Sequence, residues 1–409
     1  MTATLTRQDA VLERIVSAAP AEFAASWWGQ APLLSRAADL GGPEGFHDLL
    51  STAAVDELLS RRGLRTPFLR VAQQGKVLPA GRYTGSGGAG AEITDQVHDE
   101  QVMRLFADGA TLVLQGLHRI WEPLIDFTGR LGAELDRPLQ VNAYLTPPSS
   151  QGFATHYDTH DVFVLQVEGT KRWIIHPPVL PDPLERQQWG GRADEVAATA
   201  EGRPALDVVL QPGDALYLPR GWLHSARTEK GRSLHLTVGI RGLTRYALVE
   251  ELLGMAMTDP RLRATLPYGF DLTDPDAVGA ELDATVGALR SWLLTADPEE
   301  LAARLRERVV GRPAPLSPLA QLDFAEALSP ADTIIARPGL RWEITRDGDR
   351  MTLRLAGGRT LTMPAHCEPA VRVALDGTTC TVGALPLDDD ADRLLLVRRL
   401  LTEGIVVPT

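Results

Sequence analysis

The residues best placed to do chemistry are His156 and Asp158, two apart in GFATHYDTHDVFVLQVEG, and His224, which ends GDALYLPRGWLH. On an extended backbone alternate side chains share a face, so this imidazole and this carboxylate point the same way. In the second segment a Gly213 turn, an apolar run and the Pro219–Gly221 bend bring another imidazole back toward them. Two histidines and one carboxylate are the ligand set that holds Fe(II) on one side and leaves coordination positions open on the other. His-x-Asp alone is common. Both segments in this order, on neighbouring expected strands, make a metal centre the expected reading. His160 shares parity with His156 and Asp158, but Asp161-Val-Phe-Val resumes an apolar strand at once, so a turn or supporting role is expected for it. His176 and His235 sit in expected strands and read as core histidines with satisfied ring nitrogens.

Lys171 opens KRWIIHPP. A buried, unpaired ammonium is costly, so a lysine at the head of an apolar, aromatic strand needs a reason. Meeting the distal carboxylate of a bound 2-oxoglutarate would be one; a surface lysine beside Arg172 is the other reading. Asn142 and Tyr144 alternate on the preceding expected strand and could hydrogen-bond the same co-substrate, or be structural polar groups satisfied by backbone.

These residues need rigid elements around them. From about 110 to 240 the chain reads as short apolar runs separated by turns (TLVLQGL, LQVNAYL, VFVLQV, RWIIHP, LDVVLQPGDALYLP, LHLTVGI), the signature of a barrel or sandwich. Before it, a helical start is expected over 9–28, with Trp27 and Trp28 as edge packing, and helical pieces at about 45–62 and 96–106. Gly85, Gly87 and Gly90 fit GxGxxG, but no buried strand precedes them and no helix comes directly after. A mobile loop, a candidate cover for the active site, is expected there instead of a dinucleotide site. After Arg245 helical periodicity returns through 310, and GRPAPLSPL at 311–319 reads as a linker. The remainder mixes short strands (LRWEIT, RMTLRLA, RTLTMP) with helices at 366–375 and 390–403, the make-up of a small winged-helix-like domain.

A length of 409 residues implies two or three domains, and 44% hydrophobic with 23% charged residues is ordinary globular composition. The formal net charge of −12 argues against general affinity for nucleic acid or anionic membrane and is compatible with a basic protein or peptide substrate. Cys367 and Cys380 form no metal or redox spacing and suit a reducing cytosol. The N-terminal segment lacks a signal-peptide core and no run has membrane-spanning length, so a cytoplasmic protein is expected.

The segments HYDTHDVFVLQVEGTKRWIIHPP and GDALYLPRGWLHSA, with FAASWWGQAPLL upstream, resemble the JmjC-type ribosomal oxygenases, which are cupin-superfamily protein hydroxylases dependent on Fe(II) and 2-oxoglutarate. The resemblance extends to the order of regions over nearly the whole chain. It implies a double-stranded β-helix (cupin/JmjC) barrel with α-helical additions over 1–241, a helical dimerisation region over 242–310 and a winged-helix-like domain over 311–409. It also implies that His156, Asp158 and His224 ligate iron, that Lys171 binds the 2-oxoglutarate carboxylate, and that Asn142 and Tyr144 line the pocket. A lysine at the co-substrate position looks like the eukaryotic members. The implied reaction is hydroxylation of a histidine or arginine side chain in a ribosomal protein, by a homodimer. Hydroxylation of another peptide or a small molecule, N-methyl-lysine demethylation and a non-catalytic metal-binding cupin are the alternatives. The C-terminal region has no lysine and is acidic on balance, so contacts with proteins rather than DNA are expected of it.

Overall fold

The structure is a computed structural model that describes residues 11–40, 45–90, 92–151, 153–309 and 311–409. Positions 9 and 10 of the expected first helix lie outside them. The rest of that stretch divides into a single turn at Leu12–Arg14 and helix α1 (Pro20–Ser26). Pro20 is the reason: it is tolerated at a first helical position but not inside a helix. Phe23 and Trp28 then pack on Tyr217, with ring centroids 5.0 and 6.0 Å away.

Strand β1 (Leu33–Ser35) comes next, then α2 (Thr52–Arg61), whose Ser51 hydroxyl accepts the Ala54 N–H at 3.2 Å and caps the helix. After them lie β2 (Leu69–Gln73), β3 (Lys76–Val77), the short pair β4 (Thr84–Gly85) and β5 (Gln96–Val97), and α3 (Asp99–Ala107). The glycine-rich segment is the loop of the β4–β5 hairpin, and Gly87 N–H donates within it to the Ile93 carbonyl. After β6 (Thr111–Leu114) the expectation of strands alone fails: α4 (Glu122–Leu135) intervenes, burying Leu124, Phe127 and Leu131 at helical spacing. Then come β7 (Leu139–Thr146), β8 (Asp161–Glu168), β9 (Lys171–His176), α5 (Ala193–Ala200), β10 (Leu206–Leu210), β11 (Ala215–Leu218), β12 (Leu223–Arg227) and β13 (Ser233–Ile240).

These strands form an eight-stranded antiparallel sheet, β1-β11-β8-β13-β7-β6-β2-β3, and a three-stranded one, β10-β9-β12. Phe163, Leu165 and Val167 of β8 enter the main core with α4, while Val162 and Val164 on its other face meet Trp173, Ile175, Val208 and Leu210 of the smaller sheet. The two sheets therefore face each other, and β8 is buried on both sides. Gly169 turns the chain from β8 into β9 at φ +64°, and a Cβ there would lie 2.0 Å from the Arg232 carbonyl oxygen. Replacing Gly169 with alanine should cost about 3 kcal/mol from the strained backbone and the clash combined, read as a lowered urea midpoint. An unchanged midpoint would show that this turn relaxes freely.

Beyond Ile240 come α6 (Arg245–Ala256), α7 (Pro275–Leu293) and α8 (Pro298–Arg308), the last two opened by an Asp cap and then a proline. The linker expected at 311–319 is shorter than read, because Pro318 already begins α9 (Pro318–Ala327). The C-terminal strands β14 (Thr333–Ala336), β15 (Trp342–Asp347), β16 (Arg350–Leu355) and β17 (Thr360–Pro364) precede α10 (Glu368–Ala374), β18 (Cys380–Thr381), α11 (Asp390–Thr402) and β19 (Val406–Pro408). They make two three-stranded sheets around a hydrophobic core of their own, with Ile334, Met351, Leu353, Val371, Val397 and Leu400 fully buried.

Candidate metal centre

His156 and Asp158 are not inside a strand, as alternation alone suggested, but in the loop that leads into β8. Their common direction comes from pairing instead. His156 and His224 form an isolated antiparallel bridge, with His224 N–H donating to the His156 carbonyl at 2.8 Å and the reverse bond at 3.2 Å. The bend before His224 is tied to the same loop. Gly221 N–H donates to the Asp158 carbonyl at 2.9 Å, and Arg220 N–H donates to Asp161 Oδ1 at 2.9 Å. Asp161 is itself fixed by the Tyr217 hydroxyl at 2.8 Å. Gly221 has φ +86°, and a Cβ on it would meet the Leu180 carbonyl oxygen at 2.7 Å, so only glycine fits this bend.

Ligating atoms of His156, Asp158 and His224 lie within 4.8 Å of one another, the one such group of three found among the described residues. His224 Nε2 is 3.7 Å from Asp158 Oδ2. His156 Nδ1 lies 2.8 Å from the Ala154 carbonyl and His224 Nδ1 3.1 Å from the Trp222 carbonyl. A carbonyl only accepts, so each Nδ1 carries the proton and each Nε2 lone pair is free for a metal. Burial, then neighbouring His156, pull His224 down to about 4, so its ring is neutral at pH 7. Burial alone would push Asp158 up, but His224, His160, His156 and Arg70 together outweigh it and hold the carboxyl below its ordinary value. A carboxylate and a neutral imidazole are the protonation states a metal requires. His160 stands beside this group without joining it, its Nε2 3.3 Å from Gln140 Nε2.

The other sequence-predicted residues line the space between the two sheets. Lys171 is only 4% exposed; its Nζ donates to Thr146 Oγ1 at 2.9 Å, and no carboxylate among the described residues pairs with it. Burial lowers its pKa to about 7. Asn142, Tyr144 and Thr146 of β7 stand opposite Thr237, His235 and Ser233 of β13 in register. Tyr144 stacks on His235 with centroids 4.9 Å apart, and burial together with the Asp158 charge pushes its hydroxyl up to about 12, so it stays a donor. Asn142 Oδ1 accepts the Gly116 N–H at 3.1 Å.

His235 corrects the expectation of a satisfied core histidine. Among the described residues its buried Nδ1 has no partner, nor has that of His176, nor Trp173 Nε1. The Trp173 ring lies 5.4 Å from His235 and 6.1 Å from His224, bridging the lysine end and the metal end of the interior. Sequence reading also missed Arg70, Phe153 and Trp189. Phe153 and Trp189 flank His156 at 6.1 and 6.3 Å, and Arg70 lies 5.3 Å over the Phe153 ring.

Residues 127–248, which hold every triad residue and Lys171, match the JmjC domain. The chain is 46% identical over 134 residues to the bifunctional lysine-specific demethylase and histidyl-hydroxylase NO66 of Drosophila persimilis, an alignment covering 31% of this chain and 19% of that protein. The NO66 of Drosophila erecta is 33% identical over 251 residues, 58% of this chain and 34% of the relative. The chain thus spans between about a fifth and a third of the length of these two relatives. Its fold is shared with the Escherichia coli ribosomal oxygenase YcfD, at TM-score 0.54 and 17% identity, over 96% of this chain and 99% of that one. YcfD in complex with cobalt and 2-oxoglutarate matches at TM-score 0.52 over the same shares.

Proposed function

We propose that this chain is an Fe(II)- and 2-oxoglutarate-dependent oxygenase that hydroxylates a protein side chain, a histidine or arginine of a ribosomal protein. The observation that carries the reading is Lys171, a buried ammonium with a hydroxyl but, among the described residues, no carboxylate partner, sharing one interior with a two-histidine, one-carboxylate group. The donor set suits ferrous iron and leaves positions for a chelating keto acid. The unpaired Trp173 Nε1 and His235 Nδ1 between lysine and triad are polar atoms that a ligand of this kind would satisfy. A metal-binding module without turnover has no use for that lysine.

Asp158 and the Nε2 atoms of His156 and His224 would hold the metal, and Lys171 the far carboxylate of the co-substrate. Iron and 2-oxoglutarate, when bound there, would supply the oxidising chemistry, with dioxygen giving one oxygen atom to succinate, carbon dioxide leaving, and the other oxygen atom going to a C–H bond. The protein's share is positioning. Thr146 fixes the Lys171 ammonium, Tyr144 stays protonated as a donor, and Asn142 is held by the Gly116 amide. Incubation with ribosomal proteins should produce succinate and a product heavier by one oxygen atom on histidine or arginine. Loss of a methyl group from lysine would mean demethylation; succinate without any modified protein would leave a small-molecule hydroxylase.

For the rest of the chain we propose a double-stranded β-helix catalytic domain over 1–241, a helical dimerisation region over 242–310 and a winged-helix-like domain over 311–409 that contacts proteins and not DNA. Helix α7 buries none of its residues, and Val278, Leu282, Val286 and Leu293 stand exposed on it, which supports a homodimer. Leu282→Glu should convert a dimer to a monomer in light scattering; a wild-type monomer would sink the idea. Free Cys367 and Cys380 support a cytoplasmic location, and no helix among the described residues is long and apolar enough to cross a membrane.

A further inference from the structure

Among the described residues Arg70 is a guanidinium in no ion pair, although its charge helps hold the Asp158 carboxyl low. In register across the large sheet, Arg70 of β2 pairs with Val113, Val113 with Tyr144, and Tyr144 with His235, so all four side chains rise from one face, the face that carries the pocket. Its Nε is buried without a hydrogen-bond partner, and among the described residues it makes no ion pair. Its guanidinium carbon stands 5.3 Å over Phe153, whose ring is 6.2 Å from Tyr144 and 6.1 Å from His156. A planar cation stacked on an aromatic ring keeps its edge donors pointing outward and pre-set.

We propose that Arg70 is a substrate-positioning residue, donating to a main-chain carbonyl of the bound peptide so that the target side chain lies over His156 and Asp158. The inference rests on the peptide-hydroxylase reading above. A chain with net charge −12 favours basic peptides, which carry few carboxylates. The acceptor that every peptide offers a cation is its own backbone carbonyl. Because Arg70 is half-buried beside the metal group, that bond is partly shielded from water and worth more than a surface contact.

The test uses the full-length enzyme and whichever peptide it hydroxylates from an overlapping array of ribosomal-protein fragments. Arg70→Gln should raise the peptide KM about tenfold or more with kcat changed less than about threefold, as expected for a lost hydrogen bond to a charged group. Arg70→Lys should recover part of that loss. Anaerobic Fe(II) and 2-oxoglutarate affinities should stay at wild-type values in both variants. Replacing one peptide bond beside the target by an ester, a poorer acceptor, should weaken the wild type at one position and leave Arg70→Gln indifferent to it. Unchanged peptide KM, or a loss of Fe(II) affinity in its place, overturns the proposal and makes Arg70 a support for Asp158. A wild type that hydroxylates no fragment overturns the peptide-hydroxylase reading first, and Arg70's role with it.

Discussion

Lys171→Met should melt at a higher temperature than the wild type and bind 2-oxoglutarate at least about 100-fold more weakly, since losing one member of a buried charge pair costs several kcal/mol. Burial lowers the Lys171 ammonium from 10.5 to about 7, a penalty of roughly 4–5 kcal/mol that methionine, of similar length, does not carry. The pH dependence has a definite sign. Between about pH 7 and 10.5 the unfolded chain holds a proton on this lysine that the folded chain does not, so apoprotein stability should rise with pH across that window. Co-substrate binding runs the other way. A dianion recruits the ammonium, whose charge His235 also feels, so affinity should fall by up to about tenfold per pH unit above 7. Thermal melts and titrations at several pH values check both. A mutant less stable than wild type, with undiminished affinity, would remove Lys171 from the pocket.

Asp158→Ala should abolish turnover and weaken metal binding by more than the ~10–100-fold typical of losing even a supporting partner of a metal ligand. The carboxylate is the one anion in the group, and without it two imidazoles confront a divalent cation. The loop should keep its shape, because Asp158 is tied to Gly221 through its main-chain carbonyl and not through its side chain. Circular dichroism should therefore match wild type while anaerobic Fe(II) titration shows little binding. Retained activity would exclude Asp158 as a ligand.

Much of the candidate site's geometry was legible because the residues that meet there fall in short, ordered motifs. His-x-Asp and the glycine-led segment ending in His224 point to one centre whatever the backbone between them does. The C-terminal strands and helices were legible from plain period-two and helical patterns, as at RMTLRLA and 390–403. Three things were not. Helix α4 was hidden because the whole stretch from about 110 to 240 reads as apolar runs between turns, although Leu124, Phe127 and Leu131 carry a helical stripe. The placement of His156 depends on a main-chain bridge to His224, which no local pattern records. Arg70 and His235 acquire meaning only through cross-strand register, and from sequence each looks like an ordinary strand residue.

That same register also has a bearing on when the proposed chemistry becomes possible. The row from Arg70 through Val113 and Tyr144 to His235 joins four strands far apart in sequence, and long loops must close before any of it exists. Neither motif can bring its ligands to bear alone, since His156 meets His224 only after β9 to β12 are in place. On the proposed function, a nascent or half-folded polypeptide therefore cannot gather iron and co-substrate at ligating distance. Oxidising power is withheld until the architecture that confines it is finished.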